Sequence, residues 1–206
     1  MSKRKNMQRQ RGFTLVELSI VLVIIGLIIG GVLTGQQIIQ NARITKALNE
    51  IQAYQGQFQS YSQNNGAIPG DDKTATARFP DASGVANGNG DGSIGGTFDS
   101  KTATDESQLI WAHLRAAGLV KNQTPTTDQP PNPFNGVYGF QNGAFGVFTT
   151  TVVCLSNVPG SAAQAIDTRL DDGGSNAGSV QAVVSPATTP ATTYATSQVY
   201  TMCVRM

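Results

Sequence analysis

The chain has few of the side chains that carry out chemistry. Among its 206 residues there is one histidine, His113, one tryptophan, Trp111, and only two cysteines, Cys154 and Cys203. Two distant cysteines and one histidine cannot complete the four-ligand set of a structural zinc site. No serine or cysteine context beside His113 suggests an activated nucleophile, so that ring is read as structural. The glycine-rich run GNGDG at 88–92 is followed by neither the helix nor the lysine that a phosphate-cradling loop needs. Adjacent carboxylates occur at 71–72 and 171–172, but in glycine-rich sequence such pairs form turns more often than an acid–base couple. The chain is not read as an enzyme.

Charge is scarce as well, at 13% of residues, and it is unevenly placed. The first twelve residues, MSKRKNMQRQRG, hold Lys3, Arg4, Lys5, Arg9 and Arg11 and no acid. The remainder carries nine basic side chains against 13 acidic ones, a formal −4, although the whole chain sums to +1. Phosphate binding rests on clustered Lys and Arg, so nucleic-acid binding is unsupported. A basic leader ahead of an apolar stretch stays on the cytoplasmic side of a membrane.

That apolar stretch runs from Phe13 to Leu33, 21 residues with one charge, Glu17. As a helix it rises about 31 Å, roughly one hydrocarbon thickness. An ordinary secretory signal has its small-residue cleavage site after the apolar run, whereas here Gly12 precedes it. Cutting at Gly12 leaves the hydrophobic helix on the mature protein. A carboxylate near the start of a spanning helix costs about 1–3 kcal/mol, so Glu17 calls for compensation. A cation beside it, such as the free N-terminal amine of another chain, would supply it, because opposite charges attract strongly where the dielectric is low.

The join GFTLVE, residues 12–17, resembles the class III signal of type IV pilins and of the pseudopilins of type II secretion systems. The resemblance implies that a prepilin peptidase cuts after Gly12 and N-methylates Phe13, and that Glu17 is the acidic assembly residue. Many type IV pilins carry a helix-breaking proline about 21 residues after the mature N-terminus; Thr34 occupies that place here, flanked by Gly30, Gly31 and Gly35. Each glycine weakens a helix interior by about 0.5–1 kcal/mol relative to alanine, so residues 26–35 are expected to melt locally when subunits pack into a filament.

Beyond the apolar run, Ile44, Leu48, Ile51, Phe58 and Tyr61 keep to one helical face. The helix is expected to continue to about Asn64, where Asn64-Asn65-Gly66 and then Pro69-Gly70 end it. The alternative is two helices broken near Gly30-Gly31 or Gly35. Residues 68–100 read as a glycine- and Asp-rich loop. The phrases AIPGD, NGNGDG and AIDTRLDDG and a tryptophan-bearing helix resemble a recurrent set of pilin-like proteins. That helix has Asp105 and Glu106 in its first turn, a face of Leu109, Ile110, Leu114 and Ala117, and Gly118 as its stop.

NGNGDGSI places Asn87, Asn89, Asp91, Gly92 and Ile94 at positions 1, 3, 5, 6 and 8 of a calcium-loop template. Phe98 stands where the closing acid belongs, so Asp99, Asp81 or Asp71-Asp72 must substitute. Ca2+ at this loop, or at Asp167, Asp171 and Asp172 before Gly173-Gly174, competes with a plain solvated turn.

The C-terminal half reads as β-structure. Residues 137–153 alternate aromatic and branched residues, with Gln141-Asn142-Gly143 as a hairpin turn, and Val180–Val184 and Tyr194–Val204 offer further strands. SAAQAIDTRLDD between them reads as a short helix. For an exported domain with a modest core, a Cys154–Cys203 disulfide is favoured over buried free thiols. It brackets the C-terminal region, as a similar disulfide does in many type IV pilins.

The expected architecture is α+β, a long N-terminal helix on a C-terminal antiparallel sheet. The divisions are leader 1–12, membrane or filament-core helix 13–34, amphipathic helix 35–64 and globular head 65–206. The resemblance implies a structural subunit of a type IV pilus, with a secretion pseudopilin, a minor or tip pilin and a DNA-uptake pilin as alternatives. It also implies as partners the prepilin peptidase, an inner-membrane platform protein, a cytoplasmic assembly ATPase and other pilin subunits. The location implied is the bacterial inner membrane as precursor, N-terminus inside, and then a periplasmic or surface filament.

Overall fold

The computed structural model describes residues 12–121 and 126–206, so the leader's basic residues, Lys3 to Arg11, lie outside the described residues. The chain divides into two compact units after Asn41. The first unit contributes the start of α1 (Leu15–Asn65), a 51-residue helix that is unbroken through Gly26, Gly30, Gly31 and Gly35. From Gly12 to Arg43 every side chain is exposed, with Gly35 alone half-covered. The helix is long and apolar enough to cross a membrane.

The second unit begins inside α1. Here Ile44, Ile51, Phe58 and Tyr61 of the face predicted from spacing are buried and Leu48 is half-buried, with Ala47 buried beside them. They join one core with the inner face of a four-stranded antiparallel sheet of β1 (Tyr138–Ala144), β2 (Phe148–Pro159), β3 (Val180–Val184) and β4 (Val199–Arg205), in the order β1-β2-β4-β3. Phe58 stacks on Phe140 at 5.4 Å between ring centroids, and Tyr138 donates a 2.9 Å hydrogen bond to Glu50. The two-residue strand period divides the sheet cleanly. Val153, Leu155, Tyr200, Met202 and Val204 face the helices, whereas Val152, Cys154 and Cys203 pack with Phe98, Ala144 and Phe148 on the outer face.

Two helices complete the helical layer, α3 (Glu106–Ala116) and α4 (Gly160–Leu170), and a single turn, α2 (Ala75–Arg78), interrupts the long loop. The tryptophan helix α3 is buried all round from Glu106 to Arg115 instead of showing one apolar face. Trp111 meets Tyr54 and Phe140 on one side, while the loop before α3 covers the other: Gly95 accepts the Ser107 N–H and Phe98 accepts the Gln108 amide.

The hairpin differs from its sequence reading. Gln141-Asn142-Gly143 lies within β1, and the turn is Phe145-Gly146, both at positive φ, with Val147 N–H bonded to Ala144 C=O. Two positive-φ residues are what a tight hairpin requires. The displacement follows from pairing: Ala144 opposes Phe148, which buries Phe148 on the outer face, and a bulge between Asn142 and Ala144 absorbs Gly143. Gln141 instead accepts the Phe98 N–H. Gly139 is where that strap crosses β1, since a Cβ there would overlap the Phe98 carbonyl. The last strand starts at Val199 rather than Tyr194, because Tyr194 turns to Asp167 on α4.

Candidate functional site

Phe13 is non-helical and 81% exposed, directly after Gly12 and two residues before α1 begins. Thr14 caps that helix. Its backbone N–H and hydroxyl both donate to Glu17 Oε2, at 2.9 and 2.8 Å, and its Oγ1 accepts the Glu17 N–H at 3.3 Å. This reciprocal pair is a capping box, which satisfies helix-end donors that have no partner within the helix. Sequence reasoning singled out Glu17 for its charge and overlooked Thr14, although the T-x-x-E spacing was the signal. Other polar side chains on the apolar stretch are satisfied locally: Ser19 donates to the Val16 carbonyl and Thr34 to the Gly30 carbonyl. The apolar side chains have no such partners. Leu15, Leu22, Leu27 and Ile28 are all at least 60% exposed, an unpartnered surface far beyond scattered single residues.

Cys154 and Cys203 oppose each other across β2 and β4 and form a disulfide, buried on the outer face. It closes a chain segment that contains α4, β3 and the loop 185–198.

The Asp-rich loop is organised by carboxylates. Asp71 accepts the backbone N–H groups of Gly90, Asp91 and Gly92 at 2.5, 3.1 and 2.8 Å. Glu106 takes those of Asn89 and Gly95, each at 2.8 Å. Gly88 must lack a side chain, since a Cβ there would overlap the Asp71 backbone. One oxygen from each of Asp71, Asp91 and Glu106 falls within a 4.8 Å group. Of the residues read from sequence for this loop, Asp91 and the substitute acid Asp71 are in this group. Asn87 instead holds the Thr76 N–H and hydroxyl, and Asn89 donates its side-chain amide to Asp91. Asp81 and Asp99 are not in the group. Glu106 takes part instead because the loop folds back onto the first turn of α3 rather than closing on its own end.

Beside this loop, Asp72 is buried and accepts from Tyr61, Thr74 and Arg78, the last at 3.0 Å. Burial pushes its carboxyl upward, but the Thr74, Arg78 and Tyr61 hydrogen bonds outweigh that and hold it at about 2. His113 is fully buried. Its Nδ1 accepts the Gly70 N–H at 2.9 Å and its Nε2 lies 2.7 Å from the Ala86 carbonyl, which fixes the neutral tautomer with the proton on Nε2. Burial lowers its pKa, consistent with a structural latch.

The second acidic group brings Asp167, Asp171 and Asp172 within 4.8 Å at the end of α4. Its oxygens are also engaged. Asp167 accepts from Tyr194 and Gly173, Asp171 from Ser179 and Val180, and Asp172 from Gly174. Burial raises the Asp167 pKa.

Residues 7–33 match the prokaryotic N-terminal methylation motif, the signature of type IV pilins and pseudopilins. No curated protein and no solved structure matches the chain. The motif and the apolar start of α1 fit a precursor anchored in the inner membrane and later assembled into a filament. The motif implies processing by prepilin peptidase and assembly with other pilins.

Proposed function

We propose that the chain is a structural subunit of a type IV pilus, delivered to the membrane by its leader, cut after Gly12, methylated at Phe13 and polymerised through α1. The observation that carries this reading is the exposed apolar surface of residues 13–39 behind a methylation motif. A helix with that surface finds cover in lipid or in like helices, so the same segment serves as anchor and as filament core. The sheet edges support assembly through the helix rather than through strands. The β3 edge is covered by backbone bonds from Ala182 to Ser175 and from Ala191 to Ala182, and β1 is covered by Pro130, Gln129 and Phe98.

In this reading Glu17 exchanges its Thr14 bonds for the amine of a neighbouring Phe13 and so sets subunit stagger. Glu17→Ala subunits are expected to be excluded from mixed filaments; equal incorporation with wild type overturns the role. The platform protein and the cytoplasmic assembly ATPase are the partners of extraction. Calcium binding at the Asp71, Asp91 and Glu106 oxygens is the finer cofactor reading: it requires a rise in melting temperature at millimolar calcium, and no shift sinks it.

Mass spectrometry of sheared surface filaments against membrane fractions tests the function. Abundant, methylated protein starting at Phe13 in the sheared fraction is expected. Methylated protein confined to the envelope replaces this reading with a pseudopilin or minor pilin.

A further inference from the structure

Between Asp172 and Arg205 the chain holds no charged residue, and within that span Pro-Ala-Thr-Thr occurs twice in tandem, at 186–189 and 190–193. The repeat lies between β3 and β4, inside the disulfide-bracketed segment. Its backbone is held to the fold. Ala187 N–H bonds the Val184 carbonyl and Ala191 N–H the Ala182 carbonyl, while Ser175 donates to the Ala191 carbonyl. The Tyr200 hydroxyl, 2.8 Å from the Ala195 N–H that it accepts, donates in turn to the Thr193 carbonyl at 3.3 Å.

The side chains behave in the opposite way. Thr188, Thr189, Thr192 and Thr193 are exposed, and among the described residues none of their hydroxyls has a hydrogen-bond partner. Loop threonines commonly turn their hydroxyl back onto nearby polar groups, as Thr74 does just before α2 by donating to Asp72. The backbone bonds at Ala187, Ala191 and Thr193 tie the segment to the fold, so the four exposed threonines are presented from an anchored frame. Thr188 and Thr189 also border an open groove of about 630 Å³ that is lined by Phe98, Phe145 and Asp99, room for a sugar ring with an aromatic to pack on.

We propose that the tandem Pro-Ala-Thr-Thr repeat is an O-glycosylation site, with Thr188, Thr189, Thr192 and Thr193 as acceptors. Threonine- and proline-rich, uncharged, exposed sequence is the composition of O-glycosylated segments, and here it is combined with hydroxyls that have no other bond to give up. The transfer takes a diphosphate-activated sugar. The threonine Oγ1 forms a bond to the anomeric carbon, and the bond from that carbon to the diphosphate oxygen breaks with its electron pair. The hydroxyl proton passes to the base of the transferase. Glycans here hydrate a segment that carries no charge of its own.

Trypsin isolates the whole region as one peptide, Leu170–Arg205, because no lysine or arginine intervenes. Protein purified from its native cells is reduced, alkylated and digested, and this peptide is weighed and fragmented with the modification retained. The expected result is a mass above the sequence mass by whole sugar residues, placed on Thr188, Thr189, Thr192 or Thr193. Replacing all four by alanine returns the peptide to its sequence mass, while Thr149→Ala/Thr150→Ala, at exposed threonines outside the segment, leaves the increments in place. A native peptide wholly at its sequence mass, a phosphate increment, or sugars found only outside the repeat overturns the proposal. Since the native peptide decides alone, failure of the quadruple variant to fold does not protect it.

Discussion

Residues 15–41 and residues 42–65 form one helix by hydrogen bonding, yet the two stretches obey different solvents. In the first, isoleucines, leucines and valines point outward in every direction; in the second, Ile44, Ile51, Phe58 and Tyr61 are buried and Gln, Asn and Lys are left outside. Backbone geometry is therefore indifferent to whether a side chain is covered. What differs is the partner each side chain implies. The second stretch finds its partner within its own chain, in Phe140, Tyr138 and Trp111. The first leaves its partner to the membrane or to other subunits.

Four experiments break or sharpen that contrast. The largest effect is expected from the disulfide, which belongs to the self-sufficient unit alone. Closing a loop between residues 49 positions apart stabilises the folded state by about 4 kcal/mol in the chain-entropy account, so Cys154→Ser/Cys203→Ser should lower the melting temperature of the head. It should leave the helicity of residues 15–41 unchanged by circular dichroism in detergent.

A matched pair tests burial itself. Ile51→Ala removes a fully buried side chain and is expected to cost about 2–5 kcal/mol in denaturant unfolding of the head. Ile28→Ala, the same change at a residue 60% exposed, should leave that transition where it is and instead reduce retention in the membrane fraction. Equal losses in the two unfolding curves would show that the exposed stretch is covered by the head after all.

Asp72 gives a pH test confined to the second unit. A carboxyl held at about 2 when folded and near 3.8 when free stabilises the fold fully above the free value, and that stability is lost as pH falls toward 2. Asp72→Asn should flatten the acid limb of the stability curve and cost about 1–3 kcal/mol at neutral pH, since it loosens a buried network with Tyr61, Thr74 and Arg78.

The smallest effect concerns the glycines. A Cβ at Gly30 or Gly31 meets nothing within 4 Å, so Gly31→Ala should raise helix stability by about 0.5–1 kcal/mol without a clash. If local melting at 26–35 is part of filament packing, that variant makes stiffer or less extensible filaments; an unbroken helix through this stretch in a filament map removes the premise.

Much of this molecule was legible before folding because its signals are local. A basic leader and a small residue ahead of 21 apolar ones are read from composition and order alone, and the helical spacing of Ile44, Leu48, Ile51, Phe58 and Tyr61 acts within a few turns of one helix, where period and hydropathy suffice. The strands were readable in place but not in register. Gln141-Asn142-Gly143 has the composition of a turn, and only the pairing of Ala144 with Phe148 moved the turn to Phe145-Gly146. The nearness of Glu106 to Asp91 was not legible for the same reason: the sequence template counts along the loop, whereas the fold brings in a carboxylate from α3, 15 positions beyond Asp91.

What sequence alone determined is the export and anchoring logic, the long helix, the α+β composition and the candidate cysteine pair, since each rests on neighbours in the chain or on residue counts. Tertiary structure decided the strand register, the carboxylate-filled Asp loop, the all-round burial of α3 and the His113 latch between Gly70 and Ala86. It also decided which threonines are left with free hydroxyls. Those features depend on contacts between segments tens of residues apart, and such contacts are chosen by how the whole core packs.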